Sequence, residues 1–594
     1  MKRYFPVIIF ACIFLAGLLT FDQYGESWDD RSLQKYAELS MKAYVTWPQM
    51  GLVEVDPQNL GYYGPFFVSF VAVGTQFLSA FLLVHPSDLR HLIYFLTWFA
   101  GLIAFYSIAR RWLSQTPALG AVLLYATQPL LWGHAFINPK DTPFLALFTI
   151  SLALGFNMLD SVRRIPFAPV ESVAKRNLTL LTGLWVVSIS SLFFFTEDIY
   201  GYISNLVLSA QAGDTNIITY IATKLDQVAA EVYIQRYFLL FLKLRSFYII
   251  VLTAILLIFW YRIQPNLIKI LATVMLPALL LGFTTSTRIL GPFAGMIIAV
   301  YGLRMIGQRS LPALAMYAVI AMITTYLTWP YLWMNPILRF YNSFVEMSSY
   351  PWFGEVLFNG EKYLATDLPY SYLPFLFAIQ LTEPIWALAF IGLIFALRSF
   401  VQKRDLLLLC LIWFFLPTSL FILMRFSLYD NFRQVLFVLP PVFLLAGVFF
   451  EHIKKIQWQI VVIGLSLLSG LVALVSLHPY QYMYYNVFVG GVGHVQGRFE
   501  TDYWLTSYRA AAEYLNENAP SGSLIWVEGP GNLYTIFADE PENVYSWSRD
   551  RAPAPYDYIV VTTRYNFDQT VYPDAEIVHK IEREGAVLTV IKKP

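Results

Sequence analysis

The feature that most restricts this chain is a succession of long apolar runs. They lie at 5–19, 91–109, 118–136, 143–159, 178–195, 246–261, 268–285, 289–303, 311–329, 376–397, 405–423, 435–450 and 457–476, and charge is sparse inside them. A helix needs about 20 residues to cross ~30 Å of hydrocarbon, so each run suits a span with interfacial ends. Of the 594 residues, 57% are hydrophobic and 13% are charged. Soluble domains carry about 25% charged residues, and no water-soluble core hides this much apolar surface. A soluble enzyme, a disordered chain and a collagenous chain are thereby excluded. The two cysteines, Cys12 and Cys410, sit inside apolar runs and offer neither a disulfide framework nor metal-ligand spacing. The expected class is an α-helical polytopic membrane protein.

One further apolar stretch, 62–84, decides the topology. If it crosses, Arg110-Arg111, Arg163-Arg164, Lys175-Arg176, Arg398, Lys403-Arg404 and Lys454-Lys455 all face outward. If it does not, all of them fall in short inner loops, as the bias of Lys and Arg toward the cytoplasm requires. Its Gly61-Tyr62-Tyr63-Gly64-Pro65 start and the break at Gly74 suit a helix and turn lying in the outer interface. The expectation is about 13 transmembrane helices in a bacterial cytoplasmic (inner) membrane. Met1-Lys2-Arg3 and the N-terminus stay inside, and the tail is extracytoplasmic.

The net charge of +1 hides two regions of opposite character. Residues 480–594 hold nine Lys and Arg against fifteen Asp and Glu, whereas the preceding chain is net basic. The expected domains are therefore a transmembrane domain at 1–477 and a small soluble α/β domain at 478–594. The first outer loop occupies 22–90, and further outer loops occupy 196–245 and 329–373. Aromatic residues interleaved with single charges in the latter two suggest amphipathic helices at the lipid surface. In the tail, 506–518 reads as an amphipathic helix. Ser523–Glu528, Tyr558–Thr562 and Ala586–Ile591 read as strands, separated by Gly529-Pro530-Gly531 and Pro553–Pro555. No internal repeat is evident.

The unusual ionisable residues gather on the predicted outer side. Glu26, Asp29 and Asp30 follow the first span in Glu26-Ser27-Trp28-Asp29-Asp30-Arg31, and Asp141 closes the corner Asn138-Pro139-Lys140-Asp141-Thr142-Pro143. A carboxylate at headgroup depth is costly and tends to be functional. In a loop, Asp29 and Asp30 also suit a plain capping role, and Lys140 suits a local ion pair with Asp141. Arg288, in Thr284-Thr285-Ser286-Thr287-Arg288, and Arg433, in Tyr429-Asp430-Asn431-Phe432-Arg433, occupy outer corners. Planar guanidinium groups there bind phosphate, of a substrate or of membrane lipid. His134 lies one turn before Asn138, and His478 opens His478-Pro479-Tyr480-Gln481-Tyr482. None of the seven histidines forms a zincin pair, and neither Walker nor dinucleotide-binding glycine motifs occur.

An acidic pair beyond the first span, an Asn-Pro-Lys-Asp corner and thirteen spans with an outer tail resemble membrane glycosyltransferases of the GT-C fold. The likeness is to glycosyltransferase family 39, the bacterial protein-mannosyltransferase and aminoarabinose-transferase type. Tyr429–Arg433 with Pro440-Pro441, and His478–Tyr482, resemble further segments of bacterial members. The chain departs from that pattern in carrying Asp29-Asp30 for Asp-Glu, and in lacking a large sugar-binding module.

This resemblance implies inverting transfer of a sugar from a polyprenyl-phosphate donor to a lipid, glycan or protein acceptor outside the membrane. A hydroxyl acceptor needs a carboxylate base in line with the anomeric carbon. Asp29 is the expected base and Asp30 its rival, with Asp141 orienting. Lys140, Arg288 and Arg433 are the expected donor-phosphate cations, and Glu26, Tyr62, Tyr63, His134 and His478 the expected groove. No cofactor is required. Asp29 and Asp141 carry oxygens of the kind a divalent cation binds. No nucleic-acid partner is indicated. The alternatives are a flippase or a non-catalytic assembly partner for lipid-linked glycans. Transport by alternating access calls for midplane charges and repeats, which this sequence does not show.

Overall fold

In the computed structural model, every one of the thirteen runs is helical over most of its length. The structure describes residues 4–50, 60–166, 172–222, 227–264, 266–350, 352, 354–547 and 555–594. Met1-Lys2-Arg3, the 51–59 part of the first outer loop, and Pro553 and Ala554 lie outside the described residues. Among the described residues nine helices are long and apolar enough to cross a bilayer, or ten if Tyr372–Gln380 and Glu383–Arg398, bent by 110°, count as one span.

The difference from thirteen lies in four runs, of which two join, one is shortened and one is broken. The 289–303 and 311–329 runs form helices Pro292–Ile306 and Leu311–Thr328, which together count as a single 37-residue stretch. The 435–450 run begins as a 3₁₀ turn and yields only Pro440–His452. The 118–136 run breaks into Gln115–Ala126 and Pro129–Ile137. Gln128 precedes a proline, which pushes it to the extended conformation seen here, with ψ 115.

That break is paired with another. The Gln128 side-chain amide donates to Thr382 Oγ1 at 2.6 Å and accepts from the Thr382 backbone N–H at 3.0 Å. Both residues are buried, and Thr382 is the hinge of the bent pair. Two interrupted helices thus satisfy at each other's breaks the polar groups that hydrocarbon cannot. The 62–84 stretch forms a 3₁₀ turn at Leu60–Tyr62 and a 14-residue helix, Phe66–Ser79, shorter than a span.

The chain forms two compact units. One comprises Met1–Gln34, Phe70–Ala153 and Ser348–Pro594, and the other Lys35–Ser69 and Leu154–Met347. Residues 478–594 thus belong to the first. In the second unit, Arg245 of helix Ala230–Ile263 is buried, donates to Thr196 Oγ1 at 2.8 Å and lies over the Phe193 ring at 4.3 Å. Arg339 reaches Glu197 at 3.1 Å, joining the two amphipathic helices Thr196–Gln211 and Pro336–Ser348.

In the first unit, a hairpin pairs β1 (Glu355–Phe358) with β2 (Glu361–Leu364). The tail forms a five-stranded mixed sheet from β3 (Ile525–Val527), β4 (Val544–Ser546), β5 (Tyr558–Thr562), β6 (Glu576–Arg583) and β7 (Ala586–Lys593), in the order β4-β3-β5-β7-β6. The three expected strands are β3, β5 and β7. Strand β3 is buried along its whole length, as a central parallel strand must be. Glu584-Gly585 closes the β6–β7 hairpin with φ of 45 and 83, the two left-handed positions of a tight hairpin turn. Helix Tyr508–Asn518 buries Tyr508, Ala511, Ala512 and Leu515, one face at helical spacing.

Candidate active site

The three acids after the first span have different surroundings. Glu26 and Asp30 are 2% and 1% exposed. One Arg90 nitrogen donates to both Glu26 oxygens at 2.6 and 2.7 Å, and Ser87 hydroxyl adds a third bond. Asp30 opens helix Asp30–Met50 and accepts from the Ser27 backbone and hydroxyl at 3.2 and 2.8 Å and from Tyr94 hydroxyl at 2.7 Å. Helix Pro86–Ala109, begun by a proline whose missing N–H costs nothing there, supplies Ser87, Arg90 and Tyr94. Burial, and after it the Glu26 carboxylate, raise the Asp30 carboxyl to about 7 against the opposing pull of Arg90, Tyr94 and Ser27.

Asp29 is the acid left accessible, with 25% of its side chain exposed. Its Oδ2 lies 2.7 Å from Lys140 Nζ and 3.7 Å from Arg433 Nη1. Burial pushes this carboxyl up, and the two cations outweigh it. The net result is a carboxyl below its ordinary value, ionised at neutral pH.

Lys140 is delivered by the corner after helix Pro129–Ile137. Gly133 of that helix packs so tightly that a Cβ there would stand 2.4 Å from the Tyr482 backbone nitrogen. Asn138 Oδ1 then accepts from the N–H groups of Lys140 and Asp141 at 3.0 and 2.8 Å, capping helix Asp141–Val162. The Asn138 amide nitrogen meets Asp141 Oδ2 and His134 Nδ1, both at 3.2 Å, and His134 Nε2 bonds Tyr503 hydroxyl at 3.0 Å.

From Asp141 a buried line of alternating charge runs into the tail. Arg433 Nη1 lies 2.9 Å from Asp141 Oδ2, and its Nη2 lies 3.1 Å from Asp430 Oδ2. Arg564 Nη2 is 2.6 Å from Asp430 Oδ1, and its Nε is 3.5 Å from Glu500 Oε2. The Arg433 guanidinium is sandwiched near Trp504 and Tyr429, at 4.5 and 4.9 Å. Burial opposes the charge on Arg433, but Asp141 and Asp430 hold it well above its ordinary value, so it stays a cation. Burial raises Glu500, with Arg564 opposing. Three cations thus face four carboxylates, and Asp29 sits at the open end beside Lys140.

Solved structures provide the comparison at this point. The chain is similar to ArnT from Cupriavidus metallidurans. That likeness has 14% identity and a TM-score of 0.46, and covers 100% of this chain and 98% of that one. For the same protein bound to undecaprenyl phosphate, the figures are 13%, 0.44, 99% and 98%. For the archaeal oligosaccharyltransferase AglB from Archaeoglobus fulgidus, in complex with an inhibitory peptide and a dolichol-phosphate, they are 11%, 0.37, 92% and 64%. No protein-family model and no curated protein matches the chain.

The structure brings together Glu26, Asp29, Asp30, His134, Lys140, Asp141 and Arg433 within the first unit. His478 belongs to that unit too, but its contacts are Gln23, Gln481, Tyr24 and Arg583 rather than the acids. Tyr62, Tyr63 and Arg288 belong to the second unit. There Tyr62 packs edge-on against Tyr331 at 5.4 Å, the Tyr63 carbonyl accepts from Tyr36 hydroxyl at 2.5 Å, and Arg288 is half-buried in the turn after helix Leu267–Thr285. Sequence reasoning missed Arg90, Glu500, Tyr503 and Arg564 as members of the cluster. Asp430, from the Tyr429–Arg433 segment, joins them between Arg433 and Arg564. Among the described residues, no group of three or more His, Cys, Asp or Glu side chains is placed to hold a metal ion.

Proposed function

We propose that this chain is an integral-membrane inverting glycosyltransferase that moves a sugar from a polyprenyl-phosphate donor to an acceptor hydroxyl. One observation carries the reading: a partly exposed Asp29 carboxylate held between Lys140 and Arg433. In the reaction the acceptor oxygen attacks the anomeric carbon while the bond from that carbon to the phosphate oxygen breaks. The electron pair leaves with the lipid phosphate, and Asp29 takes the acceptor proton. Lys140 meets the charge growing on the leaving phosphate, which a preformed cation stabilises without reorganisation. Arg433 fixes Asp141 and borders the same carboxylate. Asp30 is a poor base by access, because its oxygens are buried and bonded to Ser27 and Tyr94.

The Oδ2 atoms of Asp29 and Asp141 each already meet a cation of the chain, at 2.7 and 2.9 Å. This supports a reaction that needs no divalent cation between them. The acceptor is a lipid, glycan or protein, and the chain lies in a bacterial inner membrane with the N-terminus cytoplasmic and residues 478–594 outside. A periplasmic reporter fused after Arg111 is then inactive, and an active one reverses the orientation.

The catalytic test uses purified protein in lipid, a panel of polyprenyl-phosphate sugars, and lipid, glycan and peptide acceptors. Wild type turns over at least one pair, and Asp29→Asn and Asp141→Asn lose that turnover. Normal turnover in both variants overturns the assignment.

A further inference from the structure

Three ion pairs in series connect the tail sheet to the proposed base. Arg564 holds Asp430 at 2.6 Å, Asp430 holds Arg433 at 3.1 Å, and Arg433 holds Asp141 at 2.9 Å while lying 3.7 Å from Asp29. The side chains of Arg564, Asp430, Arg433 and Asp141 are each more than nine-tenths buried. Charges so placed are screened little by salt, so a guanidinium released from one carboxylate turns to the next. Arg433 has competing acceptors, Asp430 on one side and Asp141 with Asp29 on the other. How it divides itself depends on how much of the Asp430 charge is already taken.

The backbone around Asp430 points the same way. Asp430 and Asn431 both have left-handed φ, 51 and 61. Asp and Asn tolerate that conformation better than other non-glycine residues, and two in succession are held here by their surroundings. Tyr372 hydroxyl donates to the Asn431 carbonyl at 2.9 Å, Tyr485 hydroxyl meets Asn431 Oδ1 at 3.3 Å, and Arg564 grips Asp430 itself. Arg564 stands just past the end of β5. It is pinned there by the Tyr503 carbonyl at 2.7 Å and by the faces of Tyr565, Trp28 and Trp352 at 4.9 to 5.9 Å.

We propose that Arg564 is a positioning residue for the transfer reaction: by occupying Asp430 it keeps the Arg433 guanidinium on Asp141 and beside Asp29. The proposal rests on the reading of Asp29 as base. It makes the tail domain part of the active site rather than an appended recognition module, with Arg564 acting through Asp430 and Arg433.

The test uses full-length protein in lipid nanodiscs with whichever polyprenyl-phosphate sugar the wild type turns over. Arg564→Ala is expected to lower kcat about 10²-fold, the loss that a misplacement of ~1 Å produces, and to leave the donor KM within about threefold. Arg564→Lys recovers part of kcat, because it keeps the charge on Asp430 without the fork. Adding Asp430→Asn to Arg564→Ala also recovers part, because it removes the freed carboxylate that would draw Arg433 away from Asp141. Arg425→Ala, which removes an exposed pair with Asp367, serves as control and leaves kcat unchanged. Melting temperatures are measured for every variant. A kcat within about twofold of wild type in Arg564→Ala overturns the proposal, as does a loss that follows melting temperature across the series with no recovery by Asp430→Asn. A wild type that turns over none of the donors overturns the reading of Asp29 as base, and this proposal falls with it.

Discussion

Lys140 Nζ lies 2.7 Å from Asp29 Oδ2, although the two residues come from different corners of the membrane region. The contact has two chemical consequences. It holds the Asp29 carboxyl down against the pull of burial, and in the proposed reaction it places an ammonium group where a leaving phosphate needs one. In that reaction a donor phosphate drawing Lys140 toward itself leaves the carboxylate less stabilised and a stronger base.

Replacing Asp29 by Asn removes the proposed proton acceptor and keeps the side chain's size. Turnover is expected to fall by about 10²–10⁴, the usual contribution of a positioned general base. Asp30→Asn is expected to lose much less, because that carboxyl is 1% exposed and does not face solvent. Parallel measurements of kcat on the two variants check the assignment, and equal losses contradict it.

Lys140→Met tests the electrostatics directly. Lys140 is the foremost charge holding the Asp29 carboxyl down, with Arg433 second and Asp141 opposing them. Without it the carboxyl rises, so Asp29 takes up its proton at a higher pH. The acid limb of the pH–rate profile therefore moves upward in the variant. An unmoved or lowered limb separates Lys140 from the titrating group.

Asp30 predicts a pH dependence of stability with the opposite sign from a typical surface carboxylate. Its folded pKa is raised to about 7 by burial first and by Glu26 second, so the native state binds this proton more tightly than the unfolded chain. Its contribution is then greatest at low pH and declines as pH rises from about 4, the unfolded value, to about 7. Melting temperatures of wild type and Asp30→Asn in detergent across that window check this. The variant's curve is expected to be the flatter one.

Different parts of the fold and site were legible in the sequence to different degrees. Spans could be read because bilayer thickness sets a length that apolar composition must match, and the strands β3, β5 and β7 because a buried strand needs an unbroken apolar run. The breaks at Gln128 and Thr382 were hidden, since two interruptions become tolerable only where each meets the other's polar groups. Asp29, Lys140, Asp141 and Arg433 stood out because a charge flanked by spans demands a reason. Arg564 and Glu500 did not, because in a tail of ordinary composition a charged residue attracts no notice. Their burial is produced by tertiary packing, with Arg564 left at the end of β5 against Tyr503. Arg90 was passed over for a related reason. It opens a span, where an arginine reads as interfacial until Glu26 is seen bound to it.

That Arg90–Glu26 pair is expected to matter for folding more than for chemistry. Both side chains are more than nine-tenths buried, at 7% and 2% exposure. Removing one partner of such a pair strands the other charge and costs about 3–5 kcal/mol. Arg90→Met should therefore lower the melting temperature sharply, and Arg90→Met with Glu26→Gln should recover much of it. A single variant as stable as wild type contradicts the reading.

Asn138 separates the structural from the chemical demands on the Lys140–Asp141 corner. Its Oδ1 accepts from two backbone N–H groups at the start of helix Asp141–Val162, so Asn138→Ala forfeits a cap worth about 0.5–2 kcal/mol. Asn138→Asp keeps that acceptor, and its negative charge suits the helix N-terminus. It loses the amide nitrogen that meets Asp141 Oδ2 and His134 Nδ1, and it sets a second carboxylate against Asp141. Arg433 is then drawn between three acids instead of two on that side, and its hold near Asp29 loosens. Asn138→Asp buries an added carboxylate beside Asp141 and should therefore melt below wild type. The two variants are compared at a temperature where both stay folded, and there Asn138→Asp should turn over more slowly than Asn138→Ala. If the two folded variants turn over equally, the corner serves the helix alone and its polar side chains play no part in the transfer.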